Sequence, residues 1–249
     1  MIIDTHTHWG IVWEDKYGTD PSAFLEVFDR HHVDGAALMG HRGLTVNSDM
    51  KKCNDIVKET CRRSNGRLFP IATVHPAFGD ESLREFERCV GELDMRGLKL
   101  HPWVQGFSTA DPVVDDLCRL CGEFDVPMIF HDGTPCYSMP SQVGGLALRF
   151  PGSKFVLGHA GLLELWRSAL SFSKRCPNLY ITLSGPHLAG IQALIDGVDG
   201  DRIMWGTDFG FGWSDSIVYR KGLLDMAEMP DNLREKVMGG NAEKLFKLK

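Results

Sequence analysis

The sequence predicts an α/β protein, a (β/α)8 TIM barrel slightly elaborated by C-terminal helices. Eight short β-rich runs alternate with amphipathic stretches from one end of the chain to the other. The ends of those runs, marked by His8, Met39, His75, His101, His131, His159, Ser184 and Asp208, fall 24 to 36 residues apart. Each step holds one strand, one helix and two loops. The length of 249 residues matches the roughly 250 that eight such units require.

Taken in order, the strands are expected at 2–6, 36–39, 68–74, 97–100, 127–130, 154–158, 179–183 and 202–206. The segments between them carry helix signals. Met50, Cys53, Val57 and Thr60/Cys61 repeat at three and four, as do Leu83, Phe86, Val90 and Leu93, giving each segment one apolar face. Asp111 followed by Pro112 reads as a cap with proline in the first turn. Strands joined through such helices run parallel, because each crossover returns the chain to the same edge. An open doubly wound sheet is disfavoured, since no Gly-rich phosphate turn follows the first strand. The tail, 230–249, reads as closing helices. No linker or composition break divides the chain, so one domain is expected over 1–249.

Composition narrows the function classes. Hydrophobic residues make up 43% and charged residues 24%, ordinary globular usage that excludes a disordered or collagen-like chain. A net charge of -6 without a Lys/Arg run argues against nucleic-acid and membrane partners. A small-molecule substrate is expected, and a homo-oligomer is compatible with the sequence. Residues 1–4 read as the start of a strand and not as a signal peptide. Seven cysteines form no regular framework, and Cys118 and Cys121 share the apolar face of a helix, which suits a reducing, cytoplasmic setting.

The chemistry gathers at strand ends. In such barrels the active site lies at the C-terminal ends of the strands. His6 and His8 stand there on strand 1, His75 on strand 3, Lys99 and His101 on strand 4. His131-Asp132, His159, Ser184 and Asp208 follow strands 5 to 8. Residues two apart on an extended chain point to one side, so His6 and His8 can share one cation. His131 and Asp208 are candidates to complete its shell from across the barrel. Nitrogen and carboxylate donors suit zinc or a similar divalent metal.

Asp4-Thr5-His6-Thr7-His8, Gly97-Leu98-Lys99-Leu100-His101-Pro102, Gly158-His159-Ala160-Gly161, Gly206-Thr207-Asp208-Phe209 and Gly240-Asn241-Ala242-Glu243-Lys244-Leu245-Phe246 together resemble the amidohydrolase superfamily. Within it they resemble the amidohydrolase-related branch that includes aminocarboxymuconate semialdehyde decarboxylase. The resemblance implies His6, His8, His131 and Asp208 as metal ligands. It implies His159 as a catalytic acid/base and electrostatic group, and Asp208 as a second catalytic group in proton transfer. One Zn2+ per chain is expected. Mn2+, or a second ion bridged through a carboxylated Lys99, is the alternative.

The reaction expected first is hydrolysis of an amide, ester or lactone of a small anionic molecule by a metal-activated water. The second reading is a metal-dependent non-oxidative decarboxylase of a small carboxylated, aromatic substrate. Lys99, His101, Arg42, Trp9 and Trp103 are expected to line the substrate site. Arg42 would clamp a carboxylate, and the two tryptophans would wall a planar ring. His75 and His187 lie near the rim. His31 and His32 close a helix, where a cation is favourable without any further function.

Overall fold

The computed structural model describes residues 1–44, 49–210 and 215–248. Eight parallel strands form one sheet in sequence order: β1 (Ile3–Trp9), β2 (Gly35–Gly40), β3 (Leu68–Thr73), β4 (Leu98–Leu100), β5 (Met128–Phe130), β6 (Phe155–Leu157), β7 (Leu179–Thr182) and β8 (Ile203–Met204). Helices α1 (Ile11–Tyr17) and α2 (Ser22–His31) follow β1, α3 (Met50–Arg62) follows β2, and α4 (Asp80–Gly91) follows β3. The β4–β5 crossover holds α5 (Pro102–Gln105) and α6 (Pro112–Glu123). Single helices α7 (Pro140–Arg149), α8 (Trp166–Arg175) and α9 (Leu188–Gly197) follow β5, β6 and β7. The chain finishes in α10 (Ser216–Met226), α11 (Asp231–Glu235) and α12 (Asn241–Leu245). The architecture is the expected (β/α)8 barrel.

Two strands differ from the sequence expectation by more than one residue at an end. Strand β1 runs on to Trp9, because Thr7, His8 and Trp9 pair with Leu38, Met39 and Gly40 after a register shift beyond Asp4. His6 and His8 therefore both lie inside a buried strand. Strand β8 stops at Met204, and main-chain bonds beyond it close the ring. Thr5 N donates to Trp205 O at 3.1 Å, Asp208 N to His6 O at 2.9 Å and His8 N to Phe209 O at 2.7 Å.

The closure leaves no room for side chains at its tightest point. A Cβ on Gly210, whose φ is +111°, would stand 1.8 Å from the His8 carbonyl oxygen. Inside the barrel, Ile3, Met39, Phe69, Ile71, Ile129, Val156 and Met204 fill the lower half. Helix α12 plugs that end with Ala242, Leu245 and Phe246, the Phe246 ring lying 5.1 Å from that of Phe69. Chemistry is thereby left to the opposite end. Cys118 and Cys121 are buried on α6 against the barrel, with Cys118 Sγ 3.9 Å from Met128 Sδ. The C-x-x-C belongs to the core.

Gly210→Ala should destabilise the fold by more than the ~1–2 kcal/mol expected from a left-handed backbone alone, because the added methyl would displace β1. Gly106, at φ +64° with nothing within 4 Å of its Cβ position, is the control. Urea midpoints test this: equal losses for Gly210→Ala and Gly106→Ala would show that the seam tolerates the methyl.

Candidate metal centre at the barrel mouth

Strand β1 carries His6 and His8 to the same side, and neighbouring glycines make the space. A Cβ on Gly158 would lie 2.5 Å from His6 Cε1, and one on Gly206 3.0 Å from His6 Cβ. The glycines beside His159 and Thr207 thus serve the ring of His6. Across the seam Asp4 fixes the approach of Asp208. One Asp4 oxygen accepts from His6 N and Thr207 N, each at 3.1 Å, and the other accepts from Thr207 Oγ1. Asp208 follows in the left-handed region, at φ +61°.

The side chains converge. Asp208 Oδ1 lies 3.2 Å from His8 Nε2 and 3.6 Å from His6 Nε2. His6, His159 and Asp208 present ligand atoms that all fall within 4.8 Å of one another. Two donors about 2.1 Å from one ion stand at most about 4.2 Å apart, so His6 and His8 each stand at a cation-sharing distance from Asp208 Oδ1, although His8 lies outside the mutually close group. The tautomer of His159 also fits. Ser184 Oγ donates to Gly158 O at 2.6 Å and lies 2.8 Å from His159 Nδ1. The hydroxyl proton is spent on the carbonyl, so His159 Nδ1 donates to Ser184 and Nε2 keeps its lone pair.

Asp132, missed as a functional residue by the sequence reading, holds the turn on which His159 sits. Its carboxylate accepts from His159 N at 2.7 Å and Gly161 N at 2.6 Å. Ala160, Gly161 and Leu162 all take positive φ there. That run of strained backbone needs such an anchor.

Lys99 is fully buried, with Nζ 3.0 Å from His6 Nε2. It is the cation of the cluster, and a divalent ion has to displace or share it. His131 stacks on His101 with ring centroids 3.8 Å apart, and its Nε2 lies 3.1 Å from Thr134 Oγ1. Its ring is 4.5 Å from that of His159, yet it stands outside the group of mutually close ligand atoms.

His75, His101 and His187 cap helical turns, their Nδ1 atoms accepting from Ala77, Val104 and Gly190 N. Trp103 is 57% exposed beside His101. Two expected site residues are engaged elsewhere. Trp9 is packed between barrel and helices against Phe24, and its Nε1 donates to Gly18 O at 2.9 Å. The Arg42 guanidinium is held by Glu14 at 2.9 Å and by Asp15. A half-buried arginine with two carboxylates beside it answers their charge before any substrate's.

Burial governs the electrostatics. It drives the imidazoles down: His41 to about 4, His159 to about 3, His101 to about 2, with His6, His8 and His131 also lowered. It pushes the enclosed carboxyls of Asp4 and Asp132 up to about 7. Lys99 falls to about 8 against the support of Asp208 and Asp132. Asp208 is the exception. Burial works against its charge, but His159, His8 and Lys99 together hold it below the usual carboxylate range. Neutral imidazoles around an ionised carboxylate are the protonation states a divalent cation needs.

The barrel thus carries paired histidines on its first strand, further histidines after the fifth and sixth, and an aspartate after the eighth. This chain belongs to the amidohydrolase family, whose model matches residues 3–248. Among curated relatives it is 24% identical to the gamma-resorcylate decarboxylase of Polaromonas sp. (strain JS666 / ATCC BAA-500), covering 82% of this chain and 77% of the relative. It is 25% identical to the gamma-resorcylate decarboxylase of Rhizobium radiobacter, covering 90% and 86%. Among solved structures it resembles the dihydroxybenzoic acid decarboxylase of Polaromonas sp. JS666 with bound manganese and the inhibitor 2-nitroresorcinol. That likeness has a TM-score of 0.74 at 18% identity, over 99% of this chain and 97% of the other.

The depressed imidazoles make the metal-free protein acid-labile. Unfolded histidines take up protons near pH 6.5 that the folded cluster refuses, so their contribution is present above that pH and lost as pH falls toward 4. Asp4 and Asp132 act oppositely, favouring the fold at low pH and losing that effect as pH rises through about 7. The lowered imidazoles outnumber them, and the urea midpoint should drop between pH 7 and pH 5. A midpoint that is unchanged or higher at pH 5 would contradict this balance.

Proposed function

We propose that the protein is a divalent-metal-dependent non-oxidative decarboxylase acting on a small aromatic carboxylate with an ortho hydroxyl group. The observation that carries the reading is the approach of His6 Nε2 and His8 Nε2 to one oxygen of Asp208 at the mouth. The choice of reaction is supported by the two gamma-resorcylate decarboxylases to which the chain is similar over most of its length. They favour the second of the two reactions expected from the sequence over hydrolysis. Manganese, present in the Polaromonas structure, takes the place of the zinc expected first.

His6, His8 and Asp208 would hold the ion, with His131 across the ring as the fourth donor implied by the sequence and His159 beside it. Bound there, the ion would neutralise the carboxylate and ortho oxygen of the substrate and fix the ring at the mouth. The chain's own groups then move the proton. Replacing carbon dioxide on the ring requires a proton on the carbon that bore it. Asp208, ionised at neutral pH, can take a proton from the ortho hydroxyl and return it to that carbon. The C–C bond pair re-forms the aromatic ring as carbon dioxide leaves, and solvent restores the hydroxyl proton. His159, anchored by Ser184 and Asp132, would turn its Nε2 lone pair toward the substrate, where it can accept a hydrogen bond from a ring hydroxyl.

The manganese-loaded protein should convert 2,6-dihydroxybenzoate to resorcinol and carbon dioxide, and chelation should abolish this. His8→Ala should lose metal and lower kcat/KM by more than the roughly 10- to 100-fold that loss of a ligand's outer partner costs. Acid release from lactones or amides, with no carbon dioxide from any hydroxybenzoate, would return the assignment to hydrolysis.

A further inference from the structure

We propose that Arg220 receives the anionic group of the substrate and selects for it at the barrel mouth; this rests on the decarboxylase reading above. Arg220 lies in the first turn and a half of α10, on the chain leaving β8. Its Nη1 donates to Pro186 O at 3.0 Å. Pro186 stands two residues beyond Ser184, whose hydroxyl holds His159 Nδ1. The guanidinium therefore bridges from the β8 side of the rim to the loop after β7, beside His159. Its Cζ lies 5.2 Å from the Tyr219 ring centroid.

Among the described residues, Arg220 is the one arginine that is neither exposed to solvent nor within 4.0 Å of a carboxylate. The other partly buried arginines, Arg42, Arg67, Arg88, Arg96, Arg202 and Arg234, each hold an acidic partner. A guanidinium stays charged at any physiological pH. Burial opposes its charge here, and the neighbouring Tyr219 and the more distant Asp208 favour it. One of its five N–H groups is used on Pro186 O, which orients the fork. The remaining edge makes no hydrogen bond among the described residues and matches a carboxylate in two-point geometry. Lys99, the other cation of the mouth, is spent on His6. Arg220 thus takes the role that the sequence suggested for Arg42.

The test compares two ligands that differ by one carboxylate. Calorimetric titration of manganese-loaded protein with 2,6-dihydroxybenzoate and with resorcinol should show Arg220→Gln weakening the first by roughly 10- to 100-fold. Resorcinol affinity should stay within about twofold of wild type, since it lacks the group the fork receives. Arg220→Lys should fall between, keeping charge but losing the fork, and it carries the test if Arg220→Gln does not fold. Equal losses for both ligands, or no loss for either, would overturn the assignment. A wild type that binds 2,6-dihydroxybenzoate without releasing carbon dioxide, yet loses that binding in Arg220→Gln, overturns the decarboxylase reading and retains the anion site. A wild type that binds neither ligand overturns both.

Discussion

The seam between β1 and the chain leaving β8 is the constraint on which both the barrel and its site depend. Asp4 stands at its centre, accepting from the main chain on both sides of the join and from the Thr207 hydroxyl. It does so at the register shift of β1, where the strand would otherwise leave buried N–H groups unpaired. The same contacts set the left-handed turn that delivers Asp208 to the imidazoles of His6 and His8. Barrel closure and ligand placement are therefore one structural event. Glycines at 158 and 210 face β1 at distances no Cβ tolerates, and Gly206 is wedged between His6 and Thr182 of β7, 2.4 Å from the latter.

Within that frame the charges are arranged by burial more than by pairing. A group of imidazoles is kept neutral, one carboxylate is kept ionised, and a buried lysine supplies the positive charge against His6. Taking such a cluster out of water is costly unless a cation occupies it. The cost of burying these groups and an affinity for a cation would be two descriptions of the same arrangement. Asp132 and Ser184 belong to it as well, since they fix where His159 sits and which of its nitrogens is open.

Much of this was legible in the sequence, for physical reasons. Alternating strand and helix periodicities announce a barrel, and the His-x-His pair declares its side because β geometry is fixed. Element ends were less legible. Strand β8 was expected to reach 206, but Asp4 replaces its ladder with side-chain bonds, and β1 runs on past His6 because Phe209 and Gly40 pair with it. Residues whose role depends on a partner distant in sequence were illegible. Nothing local shows that Arg42 meets Glu14 or that Trp9 faces Phe24. Arg220 lies in no motif, and its burial without a carboxylate becomes visible only in three dimensions.

The central claim is that the seam builds one divalent-ion site from His6, His8 and Asp208. Anomalous diffraction from crystals soaked in Mn2+ tests it most directly. A single peak bounded by His6 Nε2, His8 Nε2 and Asp208 Oδ1, with the Lys99 ammonium moved from its 3.0 Å contact with His6, is the predicted result. A map with no peak there, or with Lys99 still seated against His6, would contradict it.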